Sequence, residues 1–150
     1  MTQLATDILA ELIERKRRCL LQLRDVGHRQ LELIESGEMS ALLDLLASKQ
    51  SMLLTLQKIE RAMDPFRDQD PQSRQWRSPA HRARCGEMLQ QCETLLGDIV
   101  TCEKYCETAL VERRDATAVQ LQGVQHAGQT FGAYTRGEHQ PSQLDLTSER

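Results

Sequence analysis

The chain has 150 residues, a net charge of −3, 39% apolar residues and only 3% aromatic ones. So few aromatic and β-branched side chains argue against a sandwich or barrel and favour helices packed by leucine. The small negative charge gives no support to a polyanion-binding role, and no apolar run approaches the ~20 residues of a membrane span. Asp7, Glu11 and Glu14 interrupt any signal-peptide core, so a cytoplasmic protein with reduced thiols is expected.

The first element is a long amphipathic helix over about residues 4–36. Leu12, Cys19, Val26 and Leu33 recur every seven residues. Ile13, Leu20 and Ile34 form a second row one step on, which Gly27 interrupts. Ser36-Gly37 marks the stop, because glycine accepts the left-handed cap conformation. A second helix follows over about residues 39–63, with Leu42, Leu45, Leu46, Met52, Leu53, Leu56, Ile59 and Met63 on one face. The short link makes the two an antiparallel hairpin.

Residues 64–79 contain Asp64-Pro65, Asp70-Pro71 and Ser78-Pro79, and read as a loop across the end of a bundle. Phe66 and Trp76 lie in it, either as caps on the bundle core or as partner contacts. Ser78-Pro79 then opens a third helix, as an N-cap followed by proline at the first helical position. Cys85, Cys92, Ile99 and Cys106 sit seven apart, and Met88, Leu89, Leu95, Leu96, Cys102, Ala109 and Leu110 complete the seam. The regular seam fades after about Val111. A helix over residues 79–130 would span about 78 Å, more than the hairpin can cover. Its last part is therefore expected to overhang, bend back or stay free. The reading is all-α: three long antiparallel helices in an elongated bundle spanning residues 1–130, with a mobile C-terminal segment at 131–150.

The chemistry-bearing residues are sparse. Cys102 and Cys106 have a spacing that can pair two metal ligands, but Cys85, Cys92, Cys102 and Cys106 extend over too long a stretch of helix to meet on one ion. The cysteines read as small core residues, with no metal site and no cofactor. The run Arg15-Lys16-Arg17-Arg18 sits among Glu11, Glu14 and Asp25 and reads as a solvated helix face, not a nucleic-acid patch. No phosphate loop, carboxylate pair or activated nucleophile points to an enzyme. Val119, Leu121 and Val124, followed by Phe131 and Tyr134, form an apolar stretch that the hairpin cannot fully bury. It is a candidate partner-binding element, with a short fourth helix folded back on the hairpin as the alternative.

The order of these features resembles the FlgN family of flagellar export chaperones over about residues 4–136. The resemblance rests on a leucine-rich first helix ending in Ser36-Gly37-Glu38, and on Ala41-Leu42-Leu43-Asp44-Leu45-Leu46 followed by Lys49, Leu53 and Leu54. The long third helix and the C-terminal Tyr134-Thr135-Arg136-Gly137 complete it. It implies a cytoplasmic, non-enzymatic helical chaperone that binds flagellar hook-associated proteins, prevents their premature assembly and delivers them to the export gate. Carried over by position, Val119, Leu121, Val124 and Phe131 would hold the client, and Tyr134 would dock on the gate. The residues themselves also admit a coiled-coil adaptor or structural homo-oligomer unrelated to secretion, and a cysteine-based metal or redox sensor.

Overall fold

The computed structural model describes the backbone of residues 2–135 and the side chains of residues 2–125. Three α-helices and one short 3-10 turn occur in the order α1 (Ala5–Ser36), α2 (Met39–Arg67), the turn Pro71–Ser73 and α3 (Pro79–Thr135). The chain is all-α, and the described residues include no strand. It falls into two compact units, Met1–Arg113 and Arg114–Arg150. Of the tail expected over 131–150, residues 131–135 continue α3, and 136–150 lie outside the described residues.

α1 supplies most of the core, with twelve buried residues against three in α2. It ends as its sequence requires. Gly37 is left-handed, with φ 77°. The N–H of Glu38 donates to the Leu33 carbonyl at 3.0 Å and that of Gly37 to Ile34 at 3.2 Å, the two bonds of a Schellman cap. α2 returns antiparallel: the Cys19 thiol reaches the Met52 carbonyl at 3.5 Å, and Lys16 pairs with Glu60 at 2.7 Å.

α3 runs parallel to α1. The Cys92 thiol points at the carbonyl of Ile13, 4.0 Å away, and the Cys106 thiol at that of Gly27, 3.7 Å away. Both pairs are 79 residues apart in sequence. That constant offset aligns the row Thr6, Ile13, Leu20, Gly27 and Ile34 with Cys85, Cys92, Ile99, Cys106 and Arg113. The two heptad rows are in register, as in a parallel coiled coil.

Gly27 corrects the sequence reading. It does not interrupt the second row but is its point of closest approach. A Cβ there would lie 3.2 Å from Cys102 Sγ. Small residues on both helices let the backbones close in, and thiols fill the remaining space. Beyond it, Arg113 Nη2 donates to the Glu35 carbonyl at 2.6 Å, a cation on the C-terminal end of α1.

Two other expectations are corrected. α2 does not stop at Met63; it continues through Pro65 to Arg67. Proline's φ is compatible with a helix, but Pro65 offers no N–H to the Arg61 carbonyl and its ring crowds that group, and α2 ends two residues later. Arg67 then secures the last turn by pairing with Glu60 and Asp64 and donating to the Glu60 carbonyl at 3.1 Å. The third-helix seam also divides. Met88, Leu95, Cys102 and Ala109 are buried or half-buried, whereas Leu89, Leu96 and Leu110 are 39%, 37% and 40% exposed. On α2, Leu53 likewise leaves the buried face, at 41% exposed.

The connection before α3 is tied to the start of α1. Arg77 grips Asp7 with three bonds of 2.6–2.9 Å, and Asp7 also accepts the Leu4 N–H at 2.9 Å. The Arg77 guanidinium, with that N–H, holds the Asp7 carboxyl down at about 2. Thr6 donates to the Gln75 carbonyl at 2.6 Å. Ser78 caps α3 by accepting from the His81 N–H at 3.1 Å. Phe66 and Trp76 pack half-buried on the core, and Trp76 meets His81 edge-on with ring centroids 5.5 Å apart.

At mid-length, the Lys49 ammonium on α2 donates to Gln30 Oε1 on α1 at 3.0 Å and pairs with Glu103 on α3. Gln30 is buried, and the Lys49 side chain is 12% exposed. A buried polar group linking three helices fixes their mutual register.

The close approach at Gly27 generates a prediction. Gly27→Val overfills the seam and should lower unfolding free energy by about 1–3 kcal/mol in urea titrations. Combined with Cys102→Ala, it should cost less than the sum of the two single changes. Strict additivity would mean that the two residues do not share the space.

Candidate partner-binding site

The candidate residues lie in the part of α3 beyond Arg113. Ala116, Ala118, Gln120, Leu121 and Gln122 are good helix formers, and the segment is helical although Gly123 weakens it by about 1 kcal/mol. Every described side chain from Arg114 to Gln125 is exposed. Val119, Leu121 and Val124 are 66%, 57% and 67% exposed.

The helix brings two of these together and separates the third. Leu121 and Val124 stand three apart and share a face. At about 100° per residue, Val119 falls roughly 160° around the helix from Leu121. Leu121 and Val124 can enter one groove; Val119 faces another side. Phe131 and Tyr134 fall within the span of α3, but their side chains lie outside the described residues. The segment 116–135 contains no Asp, Glu, Lys or Arg; its polar groups are the amides of its glutamines, the hydroxyls of Thr117, Thr130, Tyr134 and Thr135, and the imidazole of His126.

Sequence reasoning missed Tyr105, which is 63% exposed. The signal was present: Asp98, Tyr105 and Glu112 share one heptad row, and its neighbours in that row are acidic.

The other candidate chemistry is the set of thiols. All five cysteines are free and buried. Burial pushes Cys19, Cys85 and Cys92 above the usual thiol range. Burial, together with the neighbouring Cys102 thiol and the Glu103 carboxylate, pushes Cys106 up to about 12. Among the described residues, no group of three or more His, Cys, Asp or Glu is placed to hold a metal ion. The basic run on α1 is largely internally paired. Arg17 forks onto Glu14 with bonds of 2.8 and 2.6 Å, Arg18 lies 3.7 Å from the same carboxylate, and Lys16 holds Glu60. Among the described residues, no helix is long and apolar enough to cross a membrane.

Comparison with protein-family models, with curated proteins and with solved structures finds no match to this chain.

The buried thiols should resist modification. At pH 8 the native protein should react with an aromatic disulfide reagent at least ~100-fold more slowly than the urea-unfolded chain. Rapid labelling of one or more cysteines in the native state would show a reactive thiolate and revive the sensor reading.

Proposed function

We propose that this chain is a helical export chaperone of the flagellar type, acting on hook-associated proteins and delivering them to the export gate. The observation that carries the reading is the helical stretch over 116–125, which has no Asp, Glu, Lys or Arg and whose side chains are exposed, with Leu121 and Val124 on one face. The order of sequence features that resembles the FlgN family supports the same reading. The packed unit Met1–Arg113 is the scaffold, and the segment after it is the client-binding element. A client helix covering Leu121 and Val124 gains roughly 1.5–3 kcal/mol for each fully buried side chain, before ordering costs. That scale suits reversible holding and release. Tyr134 is assigned to the gate. A coiled-coil adaptor outside secretion is the second reading, favoured by the half-exposed leucines of α3.

Two substitutions separate the roles. Val124→Asp should weaken capture of hook-associated proteins at least ~10-fold in titration calorimetry while leaving the circular dichroism of the chain unchanged. A large loss of helicity would instead make Val124 a folding residue. Tyr134→Ala should leave client affinity intact and reduce binding to the cytoplasmic domain of the gate. Undiminished gate binding would remove Tyr134 from the mechanism.

A further inference from the structure

α3 carries a second heptad stripe, adjacent to the seam that meets α1. Gly86, Leu89, Glu93, Leu96, Val100, Glu103, Glu107 and Leu110 follow one another at alternating spacings of three and four. One member is engaged within the chain: Glu103 pairs with Lys49 of α2. The aliphatic members are not covered, with Leu89, Leu96, Val100 and Leu110 at 39%, 37%, 52% and 40% exposed. Glu93 and Glu107 are exposed and make no ion pair among the described residues. Val100, Glu103, Lys104, Glu107 and Leu110 line a groove of about 390 Å³, with Gln30 of α1 on its other side; Lys104 is the one cation among these lining residues, beside the two carboxylates. At the opposite end of the stripe, a Cβ on Gly86 would meet nothing within 4 Å.

We propose that this stripe is a docking seam for a cationic amphipathic helix of a partner protein. Its aliphatic residues would meet Leu89, Leu96, Val100 and Leu110, and its lysines or arginines would meet Glu93 and Glu107. The sign of the charge selects the occupant. A second copy of this chain that superposed the leucine stripe on itself would bring carboxylate to carboxylate: Glu93 meets Glu93 in an in-register parallel pair, and Glu107 in an antiparallel pair centred on Val100. A neutral helix would leave both carboxylates desolvated and unpaired. A helix with basic residues at those two positions satisfies them and covers the leucines together. The stripe spans about 36 Å, so the matching helix has about 24 residues. This seam lies wholly before Arg113 and is independent of the client site proposed above.

The test uses the full chain and two synthetic fluorescent 25-residue helices with the same leucine stripe, one with lysine and one with glutamate at the positions facing Glu93 and Glu107. By anisotropy, the lysine helix should bind, weaken as salt rises, and exceed the glutamate helix by about tenfold or more. The double variant Glu93→Lys/Glu107→Lys should reverse that preference. The off-stripe pair Glu87→Lys/Glu112→Lys, with the same change in net charge, should leave it intact. Val124→Asp should also leave it intact, whatever that variant does to client capture. The proposal is overturned if neither helix binds, if the two bind equally, or if the off-stripe swap has the same effect as the on-stripe one. It is also overturned if sedimentation shows that the stripe is covered by a second copy of the chain.

Discussion

The contact between α1 and α3 at Gly27 governs the molecule. There the helices come close enough for a thiol on one to address a backbone carbonyl on the other. The same 79-residue offset holds two heptads earlier, at Ile13 and Cys92. One register therefore dictates which α3 residues are buried and where the seam ends. Cysteine suits this place because it is apolar and small, and its weak donor can meet a carbonyl at close range. The clustering that suggested metal or redox chemistry follows from the same demand for small side chains.

The register also determines what is left over. α3 is the partner of α1 along one row, and only in part of α2 along the next. The ion pair from Lys49 marks where α2 reaches across; the leucines on either side of Glu103 remain more than a third exposed. The seam onto α1 reaches Arg113, whose guanidinium occupies the end of α1 in place of a further apolar contact. The next position in that row is Gln120, so the pattern that held α3 to α1 is finished. The exposed character of Leu121 and Val124 is a consequence of where the heptad row runs out.

Much of this was legible from residue spacing. The rows of α1, the Gly37 stop and the Ser78 cap appear where periodicity and cap chemistry put them. The failures have physical causes. Gly27 looked like a gap because a pattern of apolar side chains scores a missing Cβ as nothing, whereas a close backbone approach requires it. Pro65 looked like an ending because proline usually is one, but α2 runs two residues past it, held by the contacts of Arg67 to Glu60 and Asp64. Leu89, Leu96 and Leu110 lie one step from Met88, Leu95 and Ala109, and leucine at adjacent heptad positions does not reveal which of two faces will find a partner. In the candidate site, the exposure of Leu121 and Val124 among the described residues is what the excess length of α3 over the hairpin leads one to expect. That Val119 points elsewhere required the helix to be drawn.

The parallel placement of α1 and α3 has a consequence for how the chain is made. Contacts between α1 and α2 join nearby segments and can form early, while the α1–α3 contacts Ile13–Cys92 and Gly27–Cys106 each join residues 79 apart in sequence. During synthesis, the row from Thr6 to Ile34 therefore waits, uncovered, until Cys85 and its successors emerge. Until then the nascent protein is a two-helix hairpin with its principal apolar face exposed to whatever else is at hand.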